Sequence, residues 1–225
     1  MYDTVQYRCE TLKGKIMDHT ETVDRRLGMQ SAHGVRHQGH TLDSSRDVAI
    51  RDAALDLLSE IGYDRLTMDG IAARAHASKA TIYRRWQGKA ALVVDALNCS
   101  KGEAHDVDTG SLEGDLAAIS EGACSQESRF NSNLMLGIIT ALAHDDELRQ
   151  VFRERMIHPR TVVMRGIFER AVERGEVSPG RNIDLLVSLF PALMIQQVLI
   201  TGELPDADFT WHVVHDVILP LATAS

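Results

Sequence analysis

The sequence predicts an all-α fold of about nine helices, and three observations carry that expectation. Beyond residue 44, apolar residues recur at three- and four-residue spacing, the period of a helix that buries one stripe. No run of alternating β-branched residues interrupts that pattern. Aromatics make up 5% of the 225 residues while Ala, Leu, Val and Ile abound, which suits helices packed on helices. A 44% hydrophobic and 25% charged composition excludes a mostly disordered or collagen-like chain.

Residues 1–42 show no sustained period and end in HGVRHQGHTLD, so a flexible tail is expected there. Met17 and Met29 leave later start positions open. Ser44-Ser45-Arg46-Asp47 reads as an N-cap followed by a carboxylate, favourable at a helix N-terminus. Ile50, Ala54, Leu57 and Ile61 then form a stripe that Gly62 ends. Thr67 can cap a second helix with Met68, Ile71, Ala72 and Ala75 inward. Ser78 can cap a third, SKATIYRRW, and a fourth begins at Gly88-Lys89 and runs through Leu92, Val93, Ala96 and Leu97.

The acidic, turn-rich segment from Gly102 to Gly110 marks a domain boundary, dividing the chain into 1–42, 43–101 and 102–225. Five helical stretches follow: Leu112 to Ser125, Arg129 to Ala143, Asp145 to Arg174, Ile183 to Thr201 and Ala207 to Leu221. Pro159 should kink the third of these.

The net charge of −8 argues at first against nucleic acid, but the charge is uneven. Residues 102–225 hold 9 basic and 19 acidic side chains. Between positions 65 and 89, Arg65, Arg74, Lys79, Arg84, Arg85 and Lys89 face only Asp69, a local +5. Phosphate contacts are local, so a focal cluster can bind DNA on an acidic protein. A solvated basic face has the same composition, and charge alone does not choose between them.

The spacing in LTMDGIAARAHASKATIYRRWQGK (residues 66–89) does. Two short helices joined by His76-Ala77 form a helix-turn-helix, which presents its second helix, about 78–86, to the major groove. Ile82 and Trp86, one turn apart, should pack inward, leaving Ala80 and Arg84 outward beside Thr81 and Tyr83. Ala80 permits close approach, the methyls of Ala80 and Thr81 can meet a thymine methyl, and Arg84 can pair with a guanine edge. The Tyr83 hydroxyl can bond a phosphate, and Lys89 heads a helix whose free amides favour an anion. Thr67 and the amides after it can hold a phosphate on the other side, and Ser78 and Lys79 complete the expected DNA-binding set.

This stretch resembles the TetR-type transcriptional regulators. The resemblance covers about Arg46 to Leu97 and is most specific in IAARAHASKATIYRRWQGKAAL. It implies a homodimeric, DNA-binding regulator, most simply a repressor, with one recognition helix per half-site of a palindromic operator. It also implies a C-terminal helical domain for a small-molecule effector or a partner. Two positions depart from the family pattern. His76-Ala77 replaces the usual Gly-Val of the turn, and histidine is among the few non-glycine residues that tolerate a left-handed backbone. Ala80 replaces a glycine and favours the helix without filling the groove.

The stretch IDLLVSLFPALMIQQVLI (residues 183–200) is apolar nearly all round, so it needs partners on both faces. A central helix within one subunit meets that need, and so does the same helix of a second subunit about a two-fold axis. The resemblance tips the expectation toward a dimer through Leu186, Leu189, Leu193, Gln197, Trp211, Val214 and Ile218. Met135, Ile138, Leu142, Phe152, Met156, Val163, Ile167, Phe190 and Met194 can line an effector pocket, although such residues are also ordinary core. A C-terminal half serving a protein partner instead remains the alternative.

Other constellations are weaker. His33, His37 and His40 have ligand-like spacing but no carboxylate or thiolate companion, and His212 and His215 suit a surface better than a metal. Three widely spaced cysteines (Cys9, Cys99, Cys124) do not suggest a disulfide framework. No phosphate-binding loop, nucleophile elbow or His-Glu-x-x-His is present, so neither enzyme nor cofactor nor metal is expected. The N-terminus lacks the apolar core of a secretory signal and no stretch reads as a membrane span, so a cytoplasmic location is expected.

Overall fold

A computed structural model describes residues 38–102, 105–124 and 132–223. Residues 1–40 and 41–225 separate as two units. Of the expected tail, only the backbone of 38–42 falls among the described residues, as does that of His40; His33 and His37 lie outside them. Nine continuous helices and no strand occur among the described residues.

Helix α1 (Gln38–Arg65) begins six residues before Ser44, so the expected N-cap is helix interior. Serine and aspartate cost little there, and no proline stops the helix from extending backwards. Asp47 instead pairs with Arg85. Ile50, Ala54 and Leu58 form the buried stripe, with Leu57 half-buried beside it. Gly62 breaks the helix with φ 75°, a left-handed value that glycine adopts without strain. The Arg65 Nε then donates to the Ile61 carbonyl at 2.8 Å, closing an end that has run out of amide donors.

Helices α2 (Met68–Arg74), α3 (Lys79–Tyr83) and α4 (Lys89–Lys101) follow in the expected order, with α3 ending at Tyr83, short of the expected 86, in a turn at 84–85. Helix α5 (Leu112–Cys124) and α6 (Ser132–His144) lead to α7 (146–173). In place of a plain kink, α7 contains a π-helical turn, Arg153–Ile157, two residues before Pro159. A π turn widens the helix, which makes room for a proline ring that would otherwise strike the preceding turn. Helix α9 (207–223) repeats the device, with a π turn Val213–Ile218 just before Pro220. Helix α8 (Ile183–Thr201) keeps Pro191 inside it.

Two buried clusters hold these helices. The first joins α1–α4 to Leu134, Ile138 and Ala141 of α6 and to Leu148 and Met156 of α7. The second joins Leu112 and Leu116 of α5 to Met164, Ile167, Phe168 and Ala171 of α7 and to residues of α8 and α9. Helix α7 therefore takes part in both cores. The acidic segment after Gly102 is fastened to α7: Arg170 Nη2 donates to the Val107 carbonyl (2.5 Å) and to Asp106 (2.9 Å). Arg174 faces Asp108, Glu176 and the fully buried Asp115, whose Oδ1 accepts from the Thr109 amide and hydroxyl at 2.5 and 2.8 Å.

Candidate nucleic-acid interface

The helix-turn-helix is assembled by its caps. The Thr67 hydroxyl accepts from the Gly70 amide, and that of Ser78 from the Thr81 amide, each at 3.1 Å. Each satisfies one otherwise orphaned donor of a very short helix, which packing alone would not hold. Between them His76 has φ 49°, the one positive value at a non-glycine position among the described residues. The expected left-handed turn is therefore made with histidine. The Ala77 amide reaches back to the Ala72 carbonyl at 2.9 Å, closing α2 and redirecting the chain into α3. Helical hydrogen bonding extends past Tyr83, with the Trp86 amide donating to the Ile82 carbonyl at 3.0 Å.

Helix α3 has two distinct faces. Ile82 and Trp86 are buried, and Arg85 turns in to pair with Asp47 of α1. Lys79, Ala80, Tyr83 and Arg84 are exposed and Thr81 is half-buried, its Oγ1 2.8 Å from the Ser78 hydroxyl. Tyr83 keeps 54% of its surface accessible, an unusual placement for an aromatic with no use there.

The local charge is smaller than the sequence window suggests. Arg74 is held by both Glu60 oxygens (2.9 and 2.6 Å), Lys79 by Asp69 (2.6 Å) and Arg85 by Asp47. Glu60 and Asp47 lie outside the 65–89 window and fold onto it. The Glu60 carboxylate is held below its usual range by the Arg74 hydrogen bond, and the Lys79 ammonium above its own by Asp69. Such exposed pairs are weak in water and can exchange one anion for another. Lys89 turns inward: its Nζ donates to the Tyr63 carbonyl at 3.0 Å and sits 4.0 Å over the Tyr63 ring. Burial, helped by Asp145, Glu147 and Asp64, pushes the Tyr63 phenol well up, so the ring stays neutral beneath that cation. Gly88 caps α4 without a side-chain hydrogen bond, and the Glu147 carboxylate of α7 lies close to it.

One residue that sequence reasoning missed fixes the recognition helix. Asp95 Oδ2 of α4 accepts from Trp86 Nε1 at 2.8 Å and from Arg51 Nε of α1 at 2.7 Å. A single carboxylate thus ties the end of α3 to α1 and α4. The signal was present in the sequence, since Asp95 is the only acid between Gly70 and Gly102 and stands within an apolar helix.

These observations are matched by known proteins. Residues 50–96 match the family described as bacterial regulatory proteins, tetR family, and residues 106–217 match the tetracyclin repressor-like C-terminal domain. The chain is 36% identical over 183 residues to an HTH-type transcriptional regulator of Mycobacterium tuberculosis, covering 81% of this chain and 90% of that one. It belongs to the TetR family. It is therefore a helix-turn-helix transcriptional regulator. A relative in Mycobacteroides abscessus, named a DNA-binding transcriptional repressor, is 35% identical over 79% of this chain and 94% of its own. Among solved structures, the fold resembles that of FadR from Bacillus subtilis in complex with stearoyl-CoA (TM-score 0.55, 17% identity, 79% of this chain and 98% of that one).

The remaining candidates are dispersed. Met135, Ile138, Leu142, Phe152 and Met156 belong to the first cluster, and Val163, Ile167, Phe190 and Met194 to the second. The nine expected pocket residues are thus divided between the two clusters. Ile138, Met156 and Ile167 are almost fully buried as core. Of the expected interface residues, Leu186, Val214 and Ile218 are taken up by the subunit's own second cluster because they lie on the inner stripes of α8 and α9. Leu189, Leu193 and Gln197 are half-buried and Trp211 is half exposed. The residues that stand out instead are Leu185, Leu199, Ile200 and Leu221. Helix α8 is long and apolar enough to cross a membrane by length and composition alone, with mean hydropathy 1.9, a test that a core helix also passes. Among the described residues no cluster of His, Cys, Asp or Glu could hold a metal ion.

Proposed function

We propose that this TetR-family regulator acts in the cytoplasm as a homodimeric repressor that a small-molecule effector releases from a palindromic operator. In this reading residues 43–101 read DNA and residues 102–225 pair the subunits and bind the effector. The observation that carries it is the outward face of α3, where Lys79, Ala80, Thr81, Tyr83 and Arg84 stand together beside the start of α4. Tyr83, Thr67, Ser78 and Lys79 would contact phosphate and set the register, while Ala80, Thr81 and Arg84 would meet base edges. Lys89 would leave the Tyr63 carbonyl for a phosphate.

Pairing is supported by α8, whose apolar window is only 17% buried within one chain. Leu185, Leu189, Leu193, Gln197, Leu199, Ile200 and Trp211 would meet their counterparts about a two-fold axis. Two recognition helices would then lie roughly 34–36 Å apart, one turn of DNA. An effector would act by its differential affinity for two spacings of those helices. The repressor named in Mycobacteroides abscessus and the stearoyl-CoA bound by FadR support this sign of regulation and a ligand-binding body.

Fluorescence anisotropy with duplexes from the chain's own upstream region tests the reading. Tyr83→Phe combined with Lys89→Ala should weaken binding of every sequence by about tenfold or more and flatten the salt dependence. Arg84→Ala should in addition relax the preference among bases. Unchanged isotherms for both would overturn the contact assignment.

A further inference from the structure

In an α-helix the amide of residue i donates to the carbonyl of residue i−4, and a proline at i leaves that carbonyl without its donor. The Arg155 carbonyl lies inside the π turn of α7, and Pro159, four residues on, has no amide to offer it. Another helix supplies a donor: Asn98 Nδ2 of α4 reaches the Arg155 carbonyl at 2.9 Å. The other end of the same amide is gripped too. Asn98 Oδ1 accepts from Arg160 Nη1 at 2.9 Å, and Arg160 also donates to the Met156 carbonyl (2.9 Å) and to the Gly102 carbonyl (2.8 Å), just past the end of α4. Among the described residues, the carbonyls four positions before Pro191 and Pro220 receive no such donor from another helix.

Every partner of Arg160 is a neutral oxygen. Burial pushes the guanidinium below its usual range, so the group is retained here at an electrostatic cost. What it provides is geometry: a rigid planar fork that fits an amide oxygen and two carbonyls at once. Helix α4 is thereby held at two points. Asp95 fastens it to α1 and α3, and one turn later Asn98 and Gly102 fasten it to α7.

We propose that Asn98 and Arg160 are positioning residues for DNA binding, fixing the swing of α4 on α7 and through Asp95 the pitch of the recognition helix. This rests on α3 being the element that reads DNA. A rigid helix pinned near one end turns as a lever, so a small release at Asn98 becomes a larger displacement at Lys89, about 14 Å away along the axis. Neither residue would touch the nucleic acid.

The test uses the full chain with Cys9, Cys99 and Cys124 replaced by serine and spin labels at Gln87→Cys and Glu173→Cys, diluted with unlabelled protein. Double electron–electron resonance reads the spread of head-to-body distances, and anisotropy on unlabelled chain reads affinity for upstream duplexes. Asn98→Ala should broaden the distance distribution and weaken DNA binding about tenfold, with base preference unchanged. Pro159→Ala offers the Arg155 carbonyl an amide within α7, so adding Asn98→Ala to it should have a clearly smaller effect than in the parent chain. Arg160→Lys, which keeps the charge and loses the fork, should behave like Asn98→Ala, and it stands in should that variant lose helix content. An unchanged distribution and affinity, or strict additivity of Asn98→Ala with Pro159→Ala, would overturn the proposal. Broadening in a chain whose parent binds no duplex would uphold the clasp and sink the reading of α3 instead.

Discussion

Helices α4 and α8 are both rich in aliphatic residues, yet the fold treats them oppositely. In α4, Ala90, Ala91, Leu92, Val93, Val94, Ala96 and Leu97 are all buried, because α1–α3 cover one side and α6 and α7 the other. In α8, six residues longer, only Leu186, Val187 and Val198 are buried, and Ile200 keeps 75% of its surface. The lesson is that all-round hydrophobicity states a demand for partners without saying who meets it. For α4 the chain meets it alone. For α8 half the demand is left over within one chain, and this is the face proposed above for pairing.

This contrast can be broken or sharpened by substitution. The largest effect is expected at α4: Leu92→Ala should lower stability by about 2–5 kcal/mol, read as a shift in the urea midpoint, since a cavity there has no solvent to fill it. Leu199→Ala on α8 should move the stability of an isolated subunit by no more than about 0.5 kcal/mol. A comparable loss at both would erase the distinction. Next in size, Ile200→Asp should leave helix content intact while shifting sedimentation from dimer to monomer, with association weakened by about 2 kcal/mol or more. A dimer of undiminished affinity would place the interface elsewhere.

Asp95→Asn should cost about 1 kcal/mol, because the amide oxygen can still serve Trp86 or Arg51 but without the charge, and the Arg51 pair is partly solvated. Its tryptophan fluorescence should report a loosened indole. The smallest effect concerns His212 on α9, whose imidazolium is favoured by the Asp216 carboxylate at 2.6 Å, with Asp208 adding to it. Its folded pKa lies above 6.5. The stabilisation is therefore complete below that unfolded value and fades as pH rises through the folded one. The Tm difference between the parent and His212→Gln should be present near about pH 5.5 and gone near about pH 8.5. The reverse order would mean that the neutral ring is the one held.

Much of the fold was legible because helices leave a local record. Thr67 and Ser78 declare helix starts through their own hydroxyls, and Ile82 and Trp86 share a face by spacing alone. What could not be read was which groups from distant segments meet. Nothing near Arg85 announces that Asp47 will neutralise it, and Asn98 has no local sign that a carbonyl of α7 will accept from its amide. The same limit misplaced Val214 and Ile218. Apolar residues at helical spacing identify a buried stripe, and only the packing of α8 and α9 decides whether that stripe faces the same subunit or another one. On α3, which is short and local, the outward placement of Lys79, Ala80, Tyr83 and Arg84 follows from spacing alone.

The joint core of the first cluster also governs how a subunit comes apart. Leu134, Ile138, Leu148 and Met156 lie downstream of the DNA-reading segment yet complete its interior. Melting should accordingly take that segment and its neighbours together in one cooperative step. A fragment severed near residue 101 would expose the greasy flank of α4 to water and behave as a sticky, poorly ordered peptide, so the reading head is not a detachable module.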